Sequence, residues 1–183
     1  MRDPTIATNY ADTLVALARK ADDLGGWGKM IQDVASAIQN EERLRQFLEA
    51  PRVTAQAKNE IIAKAFQDRY PRLFVKFLQA VISHRRQKLI PEIAIQYQRI
   101  VDVEQNRVHA EVTVAYQPDA DAQSEIASGI SKALGKTVVP HFTVRPEILG
   151  GLIVRVGDSV MDGSVRKRLS TLRGKLMAGS QRT

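Results

Sequence analysis

Cysteine is absent from this chain of 183 residues. That excludes disulfides, thiolate metal ligands and a cysteine nucleophile, and it fits a reducing compartment. Aromatic residues are scarce, at 5%, which leaves little for stacking against nucleic-acid bases. No apolar run reaches the roughly 18–20 residues needed to span a bilayer. The start, Met1-Arg2-Asp3-Pro4-Thr5-Ile6, lacks a signal-peptide core and reads as neither a leader nor a transit segment. Membrane association is therefore expected only through a partner, and a bacterial origin is favoured. Acidic residues are missing from Ser164 to Thr183, where six Lys or Arg stand. With a net charge of +7, the chain suits an acidic protein, nucleic acid or anionic lipid, or simply a solvated basic face.

What is present divides by period. Residues 1–105 read as short amphipathic helices. Ile6, Tyr10, Leu14 and Leu17 form one stripe, closed by Gly25-Gly26. Trp27, Met30, Ile31, Val34 and Ile38 form the next. Leu44, Phe47 and Leu48 precede Pro51, and Thr54 can cap a helix bearing Ile61, Ile62 and Phe66. Pro71 and Pro91 sit at or near the starts of two more helices. Short connections imply a compact antiparallel bundle.

Residues 106–183 change period. Val108, Ala110, Val112, Val114 and Tyr116 alternate with polar neighbours and read as a strand. Asp119 and Asp121 open a helix that Gly135 closes. Val138, Phe142 and Val144 fit a second strand, and Pro140 suggests an edge. Gly150-Gly151 then leads into Leu152, Val154 and Val156, a strand with one buried face. Gly157-Asp158 turns the chain, and Ser159 to Met161 pairs back. Asp162-Gly163-Ser164 forms a turn that ends in a helix N-cap. Gly157 and Gly163 are expected at positive φ. Val165, Leu169, Leu172 and Leu176 line one side of a basic final helix. The fold class is thus α+β: a six-helix bundle over 1–105, then a small α/β domain over 106–183 in the order strand-helix-strand-strand-helix, its helices on one sheet face.

Catalytic chemistry finds no foothold. Gly129 and Gly135 are separated by five residues where a phosphate-binding loop needs four, and Gly135-Lys136-Thr137 closes a helix instead of opening one. His109 and His141 fall on outer strand faces without a carboxylate at metal-ligand spacing. His84, Arg85 and Arg86 suit a charged turn between helices. Asp158 and Asp162 lack the ligand series of a calcium loop. No catalytic residue, metal or cofactor is expected.

The run from Gly150 to Leu169, with Gly150, Gly151, Gly157, Asp158, Asp162, Gly163 and Ser164 as its fixed points, resembles the C-terminal signature of the delta subunit of bacterial F-type ATP synthases, the oligomycin-sensitivity-conferring protein family. The resemblance covers nearly the whole chain. It implies a non-catalytic stator subunit that links the catalytic head to the peripheral stalk, coupling proton flow to ATP synthesis at the cytoplasmic face of the plasma membrane. It implies that N-terminal helices of the alpha subunit enter a groove between the first and fifth helices, at Tyr10, Thr13, Leu14, Phe77, Ala80 and Val81, burying about 800 Å² per partner. It places the stalk b subunits on the C-terminal domain, where Arg155, Arg166, Lys167 and Arg168 are candidate contacts. Periodicity does not fix which helix faces form groove and which form core. The rival reading, a basic nucleic-acid-binding module, is permitted by the net charge. Outward strand positions without aromatics and the absence of a helix-turn-helix count against it.

Overall fold

The computed structural model describes residues 4–66 and 68–179, with side chains described for 5–66 and 68–173. Among the described residues are eight α-helices and a four-stranded mixed sheet. The chain separates into two compact units, Met1–Asp102 and Val103–Thr183. None of the described helices is long and apolar enough to cross a membrane.

The first unit holds α1 (Pro4–Lys20), α2 (Leu24–Asn40), α3 (Glu42–Glu49), α4 (Ala55–Phe66), α5 (Arg72–Ser83) and most of α6 (Ile90–Glu104) around one core. Its largest fully buried rings are Trp27, Tyr97 and Phe74. Each such ring removes about 150–250 Å² from water, roughly 4–6 kcal/mol of transfer free energy before entropy is counted. Trp27 meets Phe74 edge to face with ring centroids 5.8 Å apart. The Tyr97 hydroxyl donates to the Leu24 carbonyl at 2.8 Å, so the buried phenol is satisfied.

Two expectations need correction here. The inward stripe of α1 is Ala7, Ala11, Leu14, Val15 and Ala18, all buried. Ile6, Tyr10 and Leu17 lie half-buried on its flank. Small alanines let neighbouring helices approach closely, so the tightest contact falls on residues that an apolar-size reading passes over. Gly25-Gly26 also do not close α1. The chain turns at Asp22, with φ +51, and both glycines lie in the first turn of α2. The Asp23 carboxylate caps that helix by accepting from the Gly26 N–H at 2.7 Å, and a side chain at Gly26 would collide with it.

In the second unit, β1 (Arg107–Val114) is central. It runs parallel to β2 (Thr137–Val144) through the crossover helix α7 (Ala120–Leu134), and antiparallel to β3 (Leu152–Val156). The short β4 (Ser159–Asp162) pairs back on β3, giving the order β2-β1-β3-β4. Pro140 therefore stands in an edge strand, as its missing N–H demands. Asp119 caps α7 by accepting from the Ala122 N–H, and Gly135 ends it with φ +64. Ala110, Val112, Val114, Val138 and Val154 pack with Ile130 of α7 on one sheet face. Among the described residues, that face is covered by α7. The last helix, α8 (Val165–Gly179), leaves Leu169 and Leu172 54% and 55% exposed, so its apolar stripe does not pack on the sheet. Leu176 lies outside the described side chains.

Candidate functional site

Two surfaces gather the residues that sequence reasoning singled out. The first lies on the helical unit, where α1 and α5 pack together. Tyr10 meets Phe77 edge to face, centroids 6.3 Å apart and planes at 73°. Leu14 and Val81 are fully buried beneath, and Phe77 nearly so. These three are core, and the exposed part of the predicted groove reduces to Tyr10, Thr13 and Ala80. The Thr13 hydroxyl donates to the Asn9 carbonyl at 2.9 Å. Leu73 is 50% exposed, and with Phe77 and Ala80 it follows helical spacing along α5. The half-buried flank of α1 and this edge of α5 form an apolar strip beyond what the core uses. Leu73 was not among the predicted residues; its place one turn before Phe77 was the available signal.

The second surface is built by the glycine-rich signature. Gly151 has φ +74, a left-handed conformation that side chains resist. A Cβ there would stand 2.5 Å from the Gly163 carbonyl oxygen, so two backbones touch at this point. Gly163 itself is not among the positive-φ residues, contrary to expectation. It is needed for close approach: its N–H donates to the Leu152 carbonyl at 3.0 Å, and an added Cβ would sit 3.2 Å from that oxygen. Gly157, with φ +56, turns the β3–β4 hairpin beside Asp158. Gly150 accepts a hydrogen bond from the Val165 N–H at 3.0 Å, which ties the start of α8 to the start of β3.

Asp162 and Ser164 then fix the direction of α8. The Asp162 carboxylate accepts from the Ser164 N–H at 3.0 Å. The buried Ser164 hydroxyl oxygen accepts from the Lys167 N–H at 3.1 Å, the N-cap bond that the sequence predicts. Hydrogen bonds from the Ser164 hydroxyl and N–H, reinforced by nearby Lys167 and Arg166, hold the Asp162 carboxyl below its ordinary range.

This geometry opens a groove of about 660 Å³ between the outer sheet face and α8. Arg145, Arg155, Arg166 and Lys167 line it, with Glu111, Glu147 and Asp162 among them. Three of the four predicted stalk contacts thus converge, while Arg168 does not line the groove. Arg145 and Glu147 were missed because one precedes and the other lies within a 3-10 turn, Pro146–Ile148, whose buried Ile148 anchors it. The Arg145-Pro146 step was the local signal for a turn. The mixture of cations and carboxylates suits a charged helix end better than a reaction centre.

His109 and His141 are exposed, as expected, yet parallel pairing of β1 and β2 brings them together. Their Nδ1 and Nε2 atoms lie 2.9 Å apart, with rings stacked at 21°. No group of three or more potential metal ligands exists among the described residues.

A model of the ATP synthase delta (OSCP) subunit family matches residues 6–176. The chain is 51% identical over 172 residues to ATP synthase subunit delta of Gemmatimonas aurantiaca, covering 94% of this chain and 93% of that one. It is 32% identical over 173 residues to the subunit delta of Desulforamulus reducens, covering 94% and 96%. The same subunit of Azotobacter vinelandii is 30% identical over 172 residues, at 94% and 96% coverage. In fold, the chain resembles a chain of the Toxoplasma gondii mitochondrial ATP synthase hexamer, with a TM-score of 0.61 at 18% identity over 93% of this chain and 97% of that one.

Proposed function

Because this chain belongs to the ATP synthase delta (OSCP) subunit family, and is a structural subunit of that membrane-associated complex, we propose that it is the stator coupling between catalytic head and peripheral stalk. The six helices up to residue 105 act as a bundle that docks the head. The strip at Tyr10, Thr13, Leu73 and Ala80, backed by the buried Phe77, receives an amphipathic N-terminal helix of the alpha subunit. The unit from residue 106 onward docks the ends of the stalk b subunits, using the groove between sheet and α8 and the exposed stripe at Leu169 and Leu172. The assembly stands at the cytoplasmic face of the plasma membrane, held there only by its partners.

The observation that carries this reading is the pair of surfaces left over by two complete cores. Each unit buries its own apolar residues, yet each retains an apolar strip, one flanked by α1 and α5 and the other along α8. Torque from a turning shaft passes along whatever connects head to stalk, so two interfaces in series are needed and no reactive group is. Helix-in-groove docking of this kind draws its energy from apolar anchors at i, i+3, i+4 and i+7. Titration of an alpha-subunit N-terminal peptide into the full chain tests the first surface. Tyr10→Asp should weaken capture at least tenfold while circular dichroism stays unchanged. Equal affinity of variant and wild type would overturn the assignment of that face.

A further inference from the structure

We propose that the helical unit also carries a binding site for a small oxyanion of the size of phosphate, in a cleft that the stator role does not use. The cleft lies between the end of α3, the start of α4 and the turn after α5, and its volume is about 360 Å³. Lys58 lines it and is 95% buried, since 5% of its surface is exposed. Among the described residues, its ammonium has one hydrogen-bond partner, the Ala50 carbonyl at 2.9 Å. An ammonium offers three donors, so two lack a protein acceptor. A buried cation in that condition is costly unless an opposite charge joins it.

The surroundings add to the positive potential. Arg52 and Arg85 line the same cleft and are exposed there. The N-terminus of α4 also opens onto it, where the Thr54 hydroxyl oxygen accepts from the Ala57 N–H at 3.3 Å. A helix start contributes roughly half a positive charge and favours anions. Among the described residues, the one carboxylate lining the cleft, Glu49, is engaged by Lys88 at 3.2 Å. Three cations and a helix start thus converge on a space that also holds one partly neutralised acid and the buried Gln87 Oε1, an acceptor without a hydrogen-bond partner among the described residues. An oxyanion placed there would accept from the free Lys58 donors and be held at the mouth by the two guanidinium groups, whose forked N–H groups match phosphate oxygens.

The test titrates inorganic phosphate into the full chain at fixed ionic strength, with chloride as the control and acetate as a second oxyanion. Backbone amide NMR shifts and thermal unfolding are followed together. Saturable shifts confined to residues 50–58 and 85–87, absent with chloride, are expected. Saturation by phosphate but not acetate identifies a phosphate-type ligand; saturation by both identifies any oxyanion, a partner carboxylate included. Arg52→Ala, at an exposed position, should weaken binding about tenfold without unfolding the chain. Lys58→Met should abolish saturation, because it removes the buried donor that the oxyanion would meet. Non-saturating shifts, or identical phosphate responses in wild type and Arg52→Ala, would overturn the proposal whether or not Lys58→Met folds.

Discussion

Replacement of Gly151 by alanine should destabilise the second unit far more than replacement of Gly157, although both glycines have positive φ. At Gly157 an added Cβ meets nothing within 4 Å. The cost there is the left-handed backbone alone, about 1 kcal/mol, or roughly fivefold in the opening equilibrium. At Gly151 the same backbone cost is joined by a steric one, because the Cβ would stand 2.5 Å from the Gly163 carbonyl oxygen and 3.3 Å from the Ser164 Cα. Both atoms belong to backbone that the N-cap of α8 holds in place, so neither can swing aside as a flexible side chain would. Relief requires β3 and the Asp162–Ser164 turn to separate, which adds about 2 kcal/mol. The sum, near 3 kcal/mol, corresponds to roughly a 150-fold increase in opening. Trp27 reports on the other unit, so tryptophan fluorescence is the wrong probe. Amide hydrogen exchange at Val112 and Val154, buried on the central strands, reads the opening of the sheet directly. If Gly151→Ala and Gly157→Ala accelerate exchange within twofold of each other, the close approach at Gly151 does not hold the signature together.

Ser164→Ala should cost about 1 kcal/mol, visible as faster exchange at the Lys167 amide, because it removes the acceptor that caps α8. Asp162 has a folded pKa held below its unfolded value of 3.8, so its contribution to stability is fully present above that pH and is lost as pH falls through the lower folded value. Asp162→Asn should therefore flatten the acid limb of the stability profile measured by exchange at Val154 between pH 2 and 5, and an unchanged limb would refute the linkage. Tyr97→Phe should lower the stability of the helical unit by about 1 kcal/mol in denaturant titration followed by Trp27 fluorescence, since it removes the hydrogen bond that the buried phenol donates to the Leu24 carbonyl. No change would mean that water replaces the phenol.

Local signals in the sequence carried much of the architecture. Asp119 and Gly135 marked the ends of α7, Ser164 marked the start of α8, and alternation from Val108 to Val114 marked a strand with one buried face. Each rests on chemistry within a few residues. What stayed hidden depends on contacts distant in sequence. The alanine stripe of α1 is legible only once its neighbours are known to approach closely. Gly25-Gly26 looked like a terminus because a glycine pair usually breaks helices, and the Asp23 cap that holds them inside α2 was overlooked. The pairing of His109 with His141 needs the parallel β1–β2 register, and the gathering of Arg145 with Arg155, Arg166 and Lys167 needs β3 and α8 to be placed together. The exposed stripe of α8 illustrates a further limit: helical spacing shows that Leu169 and Leu172 share a side, but not whether that side meets its own domain or a partner.

Coupling is the measurement closest to the central claim. Membranes stripped of this subunit should hydrolyse ATP yet lose ATP-driven proton pumping, and adding back the purified chain should restore pumping without changing intrinsic hydrolysis. Stripped membranes that pump as well as intact ones would contradict the stator account outright.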